Sequence, residues 1–191
     1  MTTEPQRYLS PIQEITLDAL PKDGLILDIG GGGEGLVSRI GGERVCAVDY
    51  RMNEILEAKI YDPPASWFLS NAIHLPFRQD SFDIATLWFS LGYMREWSTK
   101  EHVLAQVLNV LRPGGVLSVL ASRIDCREER FIFNALFTLP NGIVSRVGYG
   151  VQGSQGQTLD RLCSLIRRVG FEDLQIQDHD WWFSIQAYRR V

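Results

Sequence analysis

The chain has 191 residues, 45% of them hydrophobic and 22% charged, which suits one sizeable core and lies far from disordered or collagen-like usage. Lys and Arg total 19 against 23 Asp and Glu, a formal charge of −4, and no long basic run occurs, so a nucleic-acid surface is not expected. Cys46, Cys126 and Cys163 are odd in number and widely spaced, with no Cys-x-x-Cys and no neighbouring His, which argues against a disulfide framework or a metal site.

Residues 1–7 lack the apolar stretch of a leader, and no run of about 18 apolar residues occurs anywhere, so a cytoplasmic, membrane-free chain is expected. Ser10, Pro11 and Gln13 have the order of a helix cap, a first-turn proline and a capping box, which predicts a helix over 10–20. After a stop at 21–24, Leu25-Ile26-Leu27-Asp28-Ile29 reads as a strand buried on both faces. Helices over 35–40, 52–60 and 100–111 then alternate with strands over 45–50, 67–69, 82–89 and 116–121. That rhythm predicts right-handed βαβ units in a doubly wound, mostly parallel sheet. Segments 131–139 and 143–151 flank Asn141-Gly142 and predict an inserted β-hairpin. Thr158 caps a helix to 169, Gly170 stops it, and strands over 174–177 and 182–188 are expected to pair antiparallel. The expected fold class is therefore α/β, Rossmann-like, in a single domain over 1–191.

Between the first strand and the next helix stands Gly30-Gly31-Gly32-Gly33-Glu34-Gly35. Missing Cβ atoms let a ligand approach the backbone there, and free amides favour an anionic or polar group. Gly30, Gly32 and Gly35 satisfy G-x-G-x-x-G, and Asp49 ends the next strand about 20 residues on, where an acid meets ribose hydroxyls. An adenosine-containing ligand is the leading idea, against a bare tight turn with Asp49 capping a helix. Only two further strands, the hairpin and a paired terminus follow, too little for the second half of a dinucleotide enzyme.

Five segments in order resemble the class I methyltransferases that use S-adenosylmethionine, over roughly residues 26–122. Leu27-Asp28-Ile29-Gly30-Gly31-Gly32 is similar to their first motif, Val48-Asp49 to the end of their second strand, and Asn71-Ala72-Ile73-His74-Leu75-Pro76-Phe77 to their adenine-side segment. Ser81-Phe82-Asp83-Ile84-Ala85-Thr86-Leu87 resembles the fourth strand and Val110-Leu111-Arg112-Pro113-Gly114-Gly115-Val116-Leu117 the turn into the fifth. The resemblance implies that Gly30 and Gly32 line the methionine end of the cofactor, that Asp28 is also among the cofactor-binding residues, that Asp49 takes the ribose hydroxyls and that Asn71 and Ala72 face the adenine. Glu34 stands where the family usually has its third glycine, and Asn71 where Asp is commoner.

Methyl transfer is an in-line displacement that needs alignment and exclusion of water, with no obligatory triad or metal. Ligands of doubly wound folds bind beyond the carboxyl ends of the strands, so Trp88 and Phe89 are candidate cofactor walls and Tyr93 a candidate acceptor contact. His74, on the adenine side, is the histidine best placed as a base, and Tyr149 sits between glycines on a hairpin that can cover the substrate side. Packing or loop roles are the alternatives for each. The expected function is methyl transfer to a small-molecule acceptor by a monomer or homodimer. A noncatalytic binder of the same cofactor and an NAD-dependent oxidoreductase are the rivals.

Overall fold

The computed structural model describes residues 6–61 and 63–191. Most of the N-terminal stretch read for a leader lies outside them. The chain forms β1 (Arg7–Thr16), β2 (Ile26–Ile29), α1 (Leu36–Gly41), β3 (Val45–Asp49), α2 (Met52–Lys59), β4 (Ser66–Leu69) and β5 (Phe82–Trp88). A 3-10 turn (Leu91–Tyr93) leads into α3 (Trp97–Val110), β6 (Leu111–Ser122), β7 (Arg130–Thr138), β8 (Val144–Gln152), α4 (Leu159–Val169), β9 (Phe171–Asp178) and β10 (Trp182–Arg189).

Seven strands form a mixed sheet in the order β4-β3-β2-β5-β6-β10-β9. The pairs β4-β3, β3-β2, β2-β5 and β5-β6 are parallel, whereas β10 runs antiparallel to both β6 and β9. Strand β2 is buried at all four positions because it lies central with both faces covered. On one face Leu27, Ile29, Leu87 and Val119 join Val103, Leu104 and Val107 of α3 and Leu162 and Ile166 of α4. On the other, Ile26, Val45, Ala47 and Ile84 meet Val37 of α1. Thr158 caps α4, its hydroxyl accepting from Arg161 N at 3.4 Å, and Gly170 ends the helix at φ 118°.

The amino ends of the strands are fastened by Asp83. Its carboxylate accepts from Leu25 N at 2.8 Å and from the Arg112 guanidinium at 2.6 and 2.7 Å. Asp83 and Arg112 thus hold the frame at the edge opposite the glycine turn.

The first element differs from expectation. Residues 7–16 are a strand, not a helix, and β1 pairs parallel with β7 in a second sheet of order β1-β7-β8. Ser10 Oγ accepts from Asn134 N at 3.2 Å instead of capping a helix, and Gln13 Nε2 donates to Pro11 O at 3.0 Å. Pro11 has no N–H for a ladder and lies at the register shift between Leu9 and Ile12. The pairing partner stands more than 120 residues downstream, so no local pattern announces it. Ser10→Ala is expected to lower stability by ~1–3 kcal/mol, the penalty for an unmet buried donor, and to speed exchange of the Asn134 amide. A helix-capping serine would leave that amide's exchange unchanged.

Strands β7 and β8 pair antiparallel across Asn141-Gly142, where Gly142 takes φ 82° and Leu139 and Ile143 close the turn at 2.8 Å. Alternate residues of β7, Phe131, Phe133, Ala135 and Phe137, turn inward and pack with Ile15 and Leu17 at the end of β1 and just after it, Phe89 after β5 and Leu120 of β6. The second sheet therefore sits across the carboxyl ends of β5 and β6, where it roofs the region beyond the glycine turn.

Candidate functional site

Beyond the carboxyl ends of β2, β3 and β5 lies a cleft of about 640 Å³. One wall is the glycine turn. Gly30 N and Gly31 N donate to Val48 O at 2.8 and 3.2 Å, and Gly33 N donates to Glu54 O at 2.9 Å, which presses the turn between β3 and α2. A Cβ on Gly31 would stand 2.4 Å from Asp28 Oδ2, and one on Gly32 would stand 2.4 Å from Glu54 Cβ and 2.8 Å from Asp49 Oδ2. No side chain fits at either position.

Asp49 is 7% exposed at the end of β3. Its Oδ2 accepts from Gly32 N at 3.3 Å and its Oδ1 from Arg51 N at 2.9 Å. Each oxygen keeps a lone pair for a ligand hydroxyl. Asp28 lies beneath the turn, fully buried, with Thr86 Oγ1 donating to its Oδ1 at 2.6 Å. Burial pushes its carboxyl up to about 7 against the pull of that hydrogen bond, and the nearby Asp49 charge adds to the rise.

Glu34 also faces the cleft. Burial raises its carboxyl above the usual range, and the charges of Glu57 and Glu54 raise it further. Six carboxyl side chains line the cleft (Asp28, Glu34, Asp49, Glu54, Glu57 and Glu96) against the guanidinium groups of Arg51 and Arg95. That balance favours a ligand carrying positive charge.

The opposite wall is aromatic. Trp88 lines it with its indole Nε1 donating to Ser118 Oγ at 3.0 Å. Phe89 follows at φ 58°, a strained setting for a bulky residue, held by its amide on Leu120 O at 2.6 Å and by ring stacking on Phe133 at 5.2 Å. Tyr93 from the 3-10 turn and Tyr149 from β8 face each other with ring centroids 5.6 Å apart. The Arg51 guanidinium lies 5.3 Å from the Tyr93 ring and 3.3 Å from Glu54, bridging the mouth. Burial pushes the Tyr93 phenol up to about 12 and that of Tyr149 higher still, so both stay protonated at ordinary pH.

Asp28, Gly30, Gly32, Asp49, Asn71, Ala72, Trp88, Phe89, Tyr93 and Tyr149 all line this one cleft. Asn71 Oδ1 also accepts from Ile73 N at 3.1 Å, which fixes the loop after β4. His74 is exposed outside the cleft, its amide donating to Asn71 O at 2.9 Å. Arg51, Glu54 and Ser90 are cleft residues that the sequence reading did not single out. Arg51 and Glu54 follow Asp49 at the start of α2, a position that could have flagged them. Ser90 Oγ is buried without a hydrogen-bond partner among the described residues, and nothing in its local sequence signals this.

A family model described as a methyltransferase domain matches residues 27–119. Over that span, a little under half of its length, the chain is similar to methyltransferase domains. The matched span runs from the strand before the glycine turn into β6. A ubiquinone/menaquinone biosynthesis C-methyltransferase UbiE from Paracoccus denitrificans is 32% identical over 133 residues, covering 61% of this chain and 52% of that protein. Its namesake from Dinoroseobacter shibae is 39% identical over 64 residues, 34% of this chain and 24% of that protein. The chain thus spans about half or less of the curated relatives it matches. A crystal structure of an S-adenosylmethionine-dependent methyltransferase from Methanosarcina mazei superposes with TM-score 0.65 at 20% identity, covering 90% of this chain and 95% of that one. This last likeness is one of fold.

The family's cofactor is S-adenosylmethionine, and the residues present fit it. A turn closed to side chains at Gly31 and Gly32, a carboxylate at Asp49 and an acid-rich cleft suit a nucleoside with a diol and a cationic sulfonium. Among the described residues no helix is long and apolar enough to cross a membrane.

Proposed function

We propose that this chain transfers a methyl group from S-adenosylmethionine to a small, partly apolar molecule. The observation that carries the reading is one cleft in which the glycine turn and Asp49 face an aromatic wall contributed by β5, the 3-10 turn and the hairpin. When bound, the nucleoside supplies an activated methyl on a sulfonium, which passes to the acceptor by in-line displacement. The residues of the chain do the rest by holding and shielding. Asp49 accepts from the ribose hydroxyls, Asn71 and Ala72 border the adenine, and the glycine turn with Asp28 beneath it borders the methionine end. Trp88 and Phe89 wall the cofactor, while Tyr93 and Tyr149 border the acceptor.

Two protonated phenols are poor bases, so the chain contributes alignment and exclusion of water to the displacement. His74, exposed away from the cleft, has no part in it. The names of the UbiE relatives point to quinone biosynthesis, and a flat ring laid against the wall that Tyr93 and Tyr149 form together accords with that chemistry.

Calorimetric titration with S-adenosylmethionine, S-adenosylhomocysteine and NAD tests the reading. Micromolar affinity is expected for the first two and no binding for NAD. Asp49→Ala is expected to weaken both by ~1–3 kcal/mol, roughly 5- to 150-fold, through loss of a charged acceptor. Undiminished binding by Asp49→Ala removes that residue from the site, and binding of NAD alone overturns the proposal.

A further inference from the structure

Lys100 is wholly buried on α3, at 0% exposure. Leaving an ammonium out of water costs several kcal/mol unless each N–H is met. Here each is met. Nζ donates to Leu91 O at 2.8 Å, to Met94 O and to Gln155 Oε1 at 3.2 Å. Gln155 extends the contact, its Nε2 donating to Gly92 O and to Gln152 O, both at 2.8 Å. Its own carbonyl accepts from Trp97 Nε1 at 3.1 Å.

The carbonyls so gathered belong to two elements. Leu91, Gly92 and Met94 are in or beside the 3-10 turn that carries Tyr93, and Gln152 ends the strand that carries Tyr149. These two tyrosines form the acceptor side of the cleft, 5.6 Å apart. Apolar packing tolerates small slips of one element past another, whereas hydrogen bonds fix both direction and distance. A buried charge costs more than a buried leucine, and here it joins the two halves of one wall.

We infer that Lys100, through Gln155, is a positioning residue that holds Tyr93 and Tyr149 against each other and so shapes the acceptor-side wall of the cleft for a flat methyl acceptor. The inference rests on the methyl-transfer reading of the cleft. Lys100 touches neither the glycine turn nor Asp49, so its removal leaves the cofactor half intact. The charged groups facing it are Glu96 at the start of α3 and Arg161 of α4; burial, aided by Arg161 and opposed by Glu96, brings its ammonium down to about 8.

Indole, flat, neutral and without a titrating group near this range, serves as the probe in calorimetry at saturating S-adenosylhomocysteine. Lys100→Met is expected to weaken indole at least tenfold while leaving the affinity for S-adenosylhomocysteine within threefold. Gln155→Leu, which leaves two of the three Lys100 contacts, is expected to give a smaller loss of the same kind. Indole binding to the unaltered chain should weaken as pH rises past about 8, when Lys100 loses a donor, and the Lys100→Met profile should be flat. Hydrogen exchange should quicken at 91–94 and 149–152 in Lys100→Met and stay unchanged in β2 and β3.

Indole failing to bind the unaltered chain, equal loss of both ligands, or exchange that quickens everywhere would each overturn the inference. Failure of S-adenosylhomocysteine to bind the unaltered chain defeats the methyl-transfer reading instead. The exchange pattern then still decides whether Lys100 holds the wall.

Discussion

Gly32→Ala is expected to abolish measurable binding of S-adenosylhomocysteine and to lower stability by ~3 kcal/mol, at the upper end of what overpacking costs. The added Cβ would stand 2.4 Å from Glu54 Cβ and 2.9 Å from Glu54 C, so α2 itself must move. That movement strains the bond from Gly33 N to Glu54 O, and the Cβ also meets Asp49 Oδ2 at 2.8 Å, breaking the hold of Gly32 N on that carboxylate. Turn and carboxylate are therefore displaced together. Gly33→Ala is the fitting control. It meets only the far end of Glu54, with Oε2 at 3.3 Å, and should lose ~1 kcal/mol from its φ of 67°. Urea melts and calorimetry on the two variants separate them; equal stabilities would show that the turn is looser than its contacts imply.

Asp28→Asn is expected to change how stability depends on pH. The Asp28 carboxyl titrates at about 7 in the folded chain and at about 3.9 when unfolded, so the folded state binds the extra proton between those values. Stability then falls as pH rises from about 4 through about 7, by on the order of 4 kcal/mol over that span, and stays low above it. The amide that replaces the carboxyl would still accept from Thr86 Oγ1 and carries no charge to bury. The variant is expected to lose this slope and to be the more stable of the two at pH 8, as urea melts at about pH 4, 6 and 8 would show. Parallel profiles for the two chains would mean that Asp28 is ionised without penalty.

Both expectations start from residues that the sequence already singled out, yet their force comes from contacts it does not contain. The alternation of apolar strands with helices over residues 26–121 is legible because each element has its own period and its own stop signals. So are the glycine turn and Asp49, since both lie in one βαβ unit where spacing along the chain translates into spacing in the fold. The hairpin turn at Asn141-Gly142 and the cap at Thr158 are legible for the same reason, being decided within a few residues.

Residues 7–16 show the limit. Ser10, Pro11 and Gln13 satisfy a local rule for a helix, but the pairing of β1 with β7 supplies a ladder and buries Ile15 in the same cluster as Phe133. Tertiary pairing outweighs a propensity of a few tenths of a kcal/mol per residue. Lys100 shows the same limit in the site. In sequence it is one lysine on a helix near its start, and only the folded chain turns it inward to the carbonyls of Leu91 and Met94.

The sequence alone determined the βαβ order, the glycine turn and the acid that faces it, because each is set by neighbours within one short unit. The tertiary structure decided which strand the N-terminal segment joins, how the second sheet roofs the cleft and which buried charge fixes its wall. Those depend on contacts between segments as much as 124 residues apart, whose free energy exists only once the chain has closed on itself.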